Sequence, residues 1–458
     1  MQRRRWLLAG AGAWLAAPVL GQPTAAPRVL RDGLGLNVRF AAGQPMRELG
    51  DLAELGVRWV RDTLPWRQLE PRAGELVAPP PAFLQRLRHY RSLDIGVVCV
   101  LSLSNERAYP ARPDEPWRSV DPQAFGAHAA AMARLLSEAG LRFVLEIGNE
   151  PHNGFMPKLL GGDWSGQPPS PWVRHYVAMC EAAVKAVRAV DPAVRLLSDD
   201  DMWITHYRYL DAGLPAGLDG LAVHPYGPTG PELTTQPSAP WMRPYEVSDG
   251  DRRLASAVRR LQAKGRQHWG RTPSIWFTEW GWAEGLPAPR TLSEGLQAAR
   301  LWRAFVVAEA AGVEVLCWYS ARDLGRDRFG LVDAGGRRRL AFTAMRQLAR
   351  ELGDWQLLGQ VLGQARPTAG PQAFLFGQGG RQRLVAWQAD EQDSPARLAG
   401  ALAQAVPRDA LGRPVAVEGA ASLDGAPARA VTLSALPWVA DLAEPVAPGD
   451  DWSRHVRA

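Results

Sequence analysis

Cysteine is nearly missing from this chain: three thiols in 458 residues, Cys99, Cys180 and Cys317. They are odd in number and far apart, which excludes both a disulfide framework and a CxxC metal pattern. Three buried free thiols are expected. The basic residues are nearly all arginine, and although the formal net charge is +6, no Lys/Arg stripe marks a nucleic-acid binder. There is no HExxH, and no HxH follows the first candidate strand, which argues against metal-dependent hydrolysis. No metal or other cofactor is expected. A GxSxG nucleophile elbow is also missing. Gly33-Leu34-Gly35-Leu36-Asn37 lacks the spacing of a dinucleotide phosphate loop. No internal repeat is evident.

Tryptophan, in contrast, is abundant at 19 residues. Many must fill the core, since indole is the largest apolar side chain. Trp66, Trp164, Trp280, Trp282 and Trp318, however, sit beside polar motif residues, and indole faces stack well on sugar rings. The N-terminus reads as a targeting segment over residues 1–26. Arg3-Arg4-Arg5 precedes the apolar run 6–20, and a small-residue, proline-rich stretch follows. It fits a twin-arginine signal or a general secretory one, with cleavage after Gly21 or Ala26. A periplasmic or secreted protein is expected. The apolar run is too short for a stable transmembrane helix, so the mature chain should have no membrane span.

Downstream, short apolar runs alternate with helix-length amphipathic segments. Candidate strands are 33–40, 59–62, 95–101, 143–147, 195–198, 220–223, 274–278 and 313–318; candidate helices include 46–55, 81–92, 122–139, 172–190, 254–264 and 293–311. Apolar runs without alternation suit parallel strands buried on both faces. Eight strand–helix units in series predict an α/β fold, a (β/α)8 TIM barrel over 27–352. Polar insertions at 151–171 and 227–248 follow the fourth and sixth strands, where active-site loops of a barrel are built. From about Trp355 the helical texture stops. Short alternating runs at 373–376, 383–387, 397–402, 414–417 and 430–433 predict an antiparallel β-sandwich over 353–445. Residues 446–458 read as a flexible tail.

Two motifs carry chemistry. Phe143-Val144-Leu145-Glu146-Ile147-Gly148-Asn149-Glu150-Pro151-His152 is an apolar strand ending in Asn-Glu-Pro, and Ser274-Ile275-Trp276-Phe277-Thr278-Glu279-Trp280-Gly281-Trp282 delivers a second carboxylate to a strand end. Two carboxyl groups facing each other across a barrel mouth suit glycosidic bond cleavage, and the retaining variant needs them about 5–5.5 Å apart. Strands four and seven can supply that separation. Glu146, mid-strand in an apolar run, reads as a paired interior carboxylate. Asp199-Asp200-Asp201 after the fifth strand could bind sugar hydroxyls, stay solvated or cap the next helix.

The pattern resembles the large clan of retaining glycosidases that place an Asn-Glu pair after strand four and a Glu after strand seven. Arg61 after strand two matches the clan's arginine near the nucleophile. Tyr226, in His224-Pro225-Tyr226 after strand six, matches the aromatic hydroxyl that contacts it, and Trp318 matches the indole flooring the −1 subsite. Within the clan, Trp66 through Glu70-Pro71, the segment Phe329-Gly330-Leu331-Val332-Asp333, and Asp409-Ala410-Leu411-Gly412 in the β-rich tail resemble glycoside hydrolase family 39. Bacterial endoglycosidases associated with exopolysaccharide export look nearest.

This resemblance implies Glu150 as acid/base and Glu279 as nucleophile. Arg61 and Tyr226 would keep Glu279 ionised, and Asn149 would donate to a sugar 2-OH. Glu150 should start with a raised pKa and fall once Glu279 is esterified. His224 either lines the cleft or is a packed core histidine. His152 contacts the leaving-group sugar or braces its loop, and Trp66, Trp280 and Trp318 are candidate sugar platforms. The expected activity is an endo-acting retaining glycosidase on a bacterial exopolysaccharide, acting as a monomer and in reach of an export machinery. The alternatives are an exo-acting, xylosidase-like β-glycosidase and a non-catalytic polysaccharide-binding protein.

Overall fold

The computed structural model describes residues 28–457 apart from 154, 163–168, 235–244, 286–291 and 365–368. The targeting segment 1–26 and Trp164 lie outside the described residues. Eight parallel strands close a barrel in chain order: β1 (Leu34–Asn37), β2 (Trp59–Thr63), β3 (Gly96–Leu101), β4 (Phe143–Ile147), β5 (Arg195–Asp200), β6 (Gly220–Val223), β7 (Ser274–Trp280) and β8 (Leu316–Trp318), with β8 pairing back to β1.

Side chains alternate across each strand, so the barrel fills in layers. The lower layer is apolar: Trp59, Val98, Val144, Leu197, Ala222, Trp276 and Cys317 form one buried cluster. Trp59 and Trp276 meet edge to face at 5.1 Å. Such large side chains need a small neighbour. A Cβ on Gly96 would lie 2.6 Å from the Trp59 ring.

Two residues further along the same strands the layer turns polar: Arg61 on β2, Glu146 on β4, Asp199 on β5 and Thr278 on β7, with Asn37 ending β1. All are buried. Buried polar groups must satisfy one another, and most of these do. Asn37 Nδ2 donates to the Thr278 carbonyl at 2.6 Å, Thr278 Oγ1 to Glu146 at 2.5 Å, and Arg61 Nε to Glu146 at 2.6 Å. Glu146 is thus the paired interior carboxylate that its sequence context predicts.

The outer ring includes Pro81–Ser92, Pro122–Glu138 and Pro171–Val190, each opening on a proline, where the missing N–H costs nothing. Trp203–Asp211, Leu254–Trp269, Glu294–Ala310 and Leu340–Leu352 follow. The helix expected over 46–55 divides into a 3-10 turn, Met46–Gly50, and a short α-helix, Asp51–Leu55.

Nine further strands make two antiparallel sheets: β9 (Gln356–Leu362), β10 (Pro371–Gln378), β11 (Arg381–Gln388), β12 (Ser394–Ala399), β13 (Arg408–Asp409), β14 (Val417–Leu423), β15 (Ala426–Leu433), β16 (Trp438–Asp441) and β17 (Val456–Arg457). The expected run 397–402 ends in a 3-10 turn, and most of 414–417 lies before β14. The five-stranded sheet is buried on both faces. Phe374, Phe376, Val385 and Trp387 join the main barrel core, while Leu375, Leu384, Ala386 and Trp438 pack towards the second sheet. Arg303, on the barrel helix Glu294–Ala310, is fully buried between Glu232 at 2.8 Å and Glu391 at 3.1 Å; Glu391 also takes both arms of Arg300.

The expected flexible tail is a correction. Val446, Trp452 and Val456 are buried in the core between the two sheets, and β17 pairs with β12. Burying an indole and two valines outweighs the freedom of so short a segment.

Candidate active site

Glu150 and Glu279 face each other at the C-terminal mouth of the barrel. A carboxylate oxygen of each and a ring nitrogen of His224 all lie within 4.8 Å of one another. Backbone irregularities deliver both. β7 carries a register shift between Phe277 and Trp280; such a bulge re-aims side chains beside active sites, and here it lets Glu279 follow the inward-facing Thr278. After β4 the chain turns through Gly148 at φ 92° and Glu150 at φ 45°. The left-handed region is costly for a glutamate. Asp199 Oδ2 anchors that backbone by accepting the Glu150 N–H at 2.7 Å.

Glu279 is gripped from both sides. Arg61 Nη1 ion-pairs with its Oε1, and Tyr226 donates its hydroxyl to Oε2 at 3.0 Å. The same guanidinium donates to Asn149 Oδ1 at 2.7 Å. That contact uses the amide oxygen and leaves the Asn149 nitrogen as the group offered to a substrate hydroxyl. Glu150 Oε1 meets His224 Nδ1 at 2.9 Å, and Asn153 donates to Oε2 at 2.9 Å. Burial works to raise the Glu150 pKa, but the hydrogen bond and charge of His224, with the Asn153 donor, bring it below the ordinary carboxylate value. The raised value expected from sequence is therefore not that of the substrate-free site, because a buried imidazole stands against the carboxylate.

The remaining candidates divide. Trp66 is fully buried, stacked on His128 at 4.9 Å and donating to Glu70 at 2.6 Å. Trp280 and Trp318 are also buried, with Trp282 packed against both. Packing on several sides covers all three, so none presents an exposed ring face. Tyr319, next to Trp318, instead lines a cavity of about 460 Å3 with Tyr226, Glu279, Trp282, Arg300 and Phe329. His224 is wholly buried. His152 lies between Asp200 and Asp201, its Nε2 3.0 Å from Asp201, and braces the loop. Asp199 and Asp200 are buried rather than solvated. A second cavity of about 330 Å3 opens beyond Arg61 and Asn149, lined also by Thr63, Ser102 and Phe155. Glu279 thus lines the first cavity, while Arg61 and Asn149 beside it line the second.

A closed (β/α)8 barrel presenting two opposed carboxyl groups, one held by guanidinium and phenol and the other by imidazole, is equipped for nucleophilic and acid–base work at one carbon. No family model matches the chain, and no curated protein matches it in sequence. Solved structures match its fold. A family 39 glycoside hydrolase from the gut symbiont Bacteroides cellulosilyticus has a TM-score of 0.69 at 20% identity, covering 90% of this chain and 82% of that one. A family 30 subfamily 8 xylanase from Clostridium acetobutylicum gives 0.56 at 11% identity, over 91% and 97%. A family 30 endoxylanase from Clostridium papyrosolvens gives 0.53 at 11%, over 92% and 98%. The likeness is one of fold and spans barrel and sandwich together.

Proposed function

We propose that this chain is an exported retaining glycoside hydrolase, with Glu279 as nucleophile and Glu150 as acid/base. One observation carries the reading: the nearest oxygens of the two carboxyl groups lie within 4.8 Å, in keeping with the close pair of a double displacement rather than the wider gap of inversion. Glu279 would attack the anomeric carbon while Glu150 protonates the departing oxygen. Water, deprotonated by Glu150, would then release the glycosyl ester. Arg61 and Tyr226 orient the nucleophile and stabilise its charge, and Asn149 supports the transition state through a sugar hydroxyl.

The substrate we infer is a polysaccharide cut internally, a bacterial exopolysaccharide met during or after export. Separate cavities beside Glu279 and beside Arg61 and Asn149 offer room for sugar units in more than one direction, which supports endo action. The Arg3-Arg4-Arg5 segment and its apolar run support export to the periplasm or beyond. No helix among the described residues is long and apolar enough to cross a membrane.

The test is reducing-end release from a polysaccharide panel that includes the source organism's own secreted polymer, comparing the mature chain with Glu279→Gln. A ladder of oligosaccharides from the wild type alone is expected. Monosaccharide only would replace endo with exo action. Equal release by both proteins would remove Glu279 as nucleophile. Binding without cleavage would favour a non-catalytic polysaccharide-binding protein.

A further inference from the structure

Asp199, the penultimate residue of β5, lies one layer from the reacting carboxyl groups, is wholly buried, and has no part in the scheme above. Its Oδ2 takes the Glu150 backbone N–H, and its Oδ1 lies 3.0 Å from Nε2 of His224. The other nitrogen of that buried ring, Nδ1, is 2.9 Å from Glu150 Oε1. Asp199, His224 and Glu150 therefore form a line of carboxyl, imidazole and carboxyl. An ionised carboxylate only accepts hydrogen bonds, so an imidazole between two of them must carry protons on both nitrogens, unless a carboxyl holds one instead. In either arrangement the three groups hold one proton more than they would hold separately in water near neutrality.

We propose that Asp199 and His224 are a buried proton store for Glu150, with Asp199 the positioning residue that keeps the store loaded. The inference rests on Glu150 being the acid/base. In the first half-reaction the Nδ1 proton passes to Glu150 Oε1, leaving a neutral ring whose Nε2–H stays on Thr278 Oγ1, beside the Asp199 carboxylate. Glu150 gives a proton to the glycosidic oxygen as its bond to the anomeric carbon breaks and the Glu279 ester forms. In the second, water loses a proton to Glu150 as its oxygen replaces Glu279, and that proton returns to Nδ1. The cycle closes with no proton gained or lost by the protein.

The surroundings favour the loaded state. Glu146 at 3.9 Å and Glu279 at 3.8 Å also face the His224 ring. With Glu150 and Asp199 they make four carboxyl groups, and Arg61 is the fixed cation beside them; His206 lies behind on the helix Trp203–Asp211. Burial disfavours the imidazolium, but the charges of Asp199 and Glu279 and the Asp199 and Glu146 hydrogen bonds hold His224 well above its ordinary value. Thr278 Oγ1, 3.1 Å from Nε2, accepts the Nε2–H and donates its own proton to Glu146, while Asp199 Oδ1 supplies the adjacent charge.

The test uses the full chain and Asp199→Asn, which removes the charge and keeps an acceptor for the Glu150 N–H. Nitrogen-15 histidine NMR should find the wild-type His224 ring doubly protonated at about pH 8 and singly protonated in the variant. The alkaline limb of kcat/KM on aryl glycosides should move down by at least about one pH unit. At neutral pH the variant should lose about tenfold on a poor leaving group and little on a dinitrophenyl group, which departs without a proton. A wild type that at about pH 8 holds a neutral His224 ring with Asp199 and Glu150 both ionised, read by nitrogen-15 and carboxyl carbon-13 shifts, would overturn the proposal, even if the variant did not fold; so would an unchanged pH profile in a folded variant. The NMR result needs no turnover. A protonated ring in a chain inactive on every glycoside would sink the glycosidase reading and leave the proton store in place.

Discussion

Replacing Arg61 with methionine deletes one guanidinium from Glu146, Glu279 and Asn149 at once while keeping much of the side-chain volume. The stability cost falls mainly on Glu146, which is fully buried. Breaking a buried pair from one side costs about 3–5 kcal/mol, because the other charge is left without a partner. The titration of Glu146 gives a similar figure. Burial alone would push its pKa up, yet Arg61, aided by His224, holds it at about 2 against an ordinary 4.5. That difference is worth roughly 3 kcal/mol by linkage. The folded-state value is the lower one, so this stability is fully present above about pH 4.5 and is lost as pH falls towards 2. Urea unfolding at pH 7 should thus find Arg61→Met less stable by about 3 kcal/mol. Between about pH 4.5 and 2 the wild type should lose stability more steeply than the variant. Arg61→Met with Glu146→Gln should recover part of the loss, since the stranded charge is gone. A single variant within about 1 kcal/mol of wild type at pH 7 would refute the argument.

Other outcomes follow from the same contacts. Tyr226→Phe removes the hydroxyl on Glu279 and should lower kcat about five- to tenfold with KM little changed, read by steady-state kinetics; an equal fall in kcat and KM would contradict a transition-state role. Glu391→Gln leaves Arg300 without its carboxylate and Arg303 with Glu232 alone, and should cost about 2–4 kcal/mol in chemical unfolding. Trp452→Ala should destabilise the chain by about 3–5 kcal/mol, because the indole is packed between the two sheets; a loss below about 1 kcal/mol would mean that the end of the chain is not docked.

Much of this architecture is legible in the sequence, for identifiable reasons. Eight apolar runs with helical spacers can close only in a few ways, and Asn149-Glu150 and Glu279 announce themselves by ending such runs. What sequence conceals depends on burial in three dimensions. The indole of Trp318 and the ring of Tyr319 are adjacent, and only strand register decides which one faces the cavity. Asp199 and Asp200 resemble a solvated acidic run, yet the alternation of β5 and the packing of its last residues put both inside. The helix Trp203–Asp211 goes unannounced in the sequence: Thr205, His206 and Arg208 are buried along with its apolar residues, so its polar residues do not mark a solvent face. The bulge in β7 and the left-handed Glu150 leave no residue-type signature, since neither position is a glycine.

The sheet that backs the barrel has a mechanical consequence. Modules on flexible linkers search for their ligand independently of the catalytic body. Here Phe374, Phe376 and Trp387 belong to the barrel's own core, and Glu391, at the turn after β11, reaches Arg300 in the cavity wall. Cutting the chain after Leu352 would strip apolar surface and two buried arginines at once. The sandwich therefore acts as a fixed buttress. It cannot reorient towards a polymer on its own, so barrel and sheet must engage, move and unfold as one body.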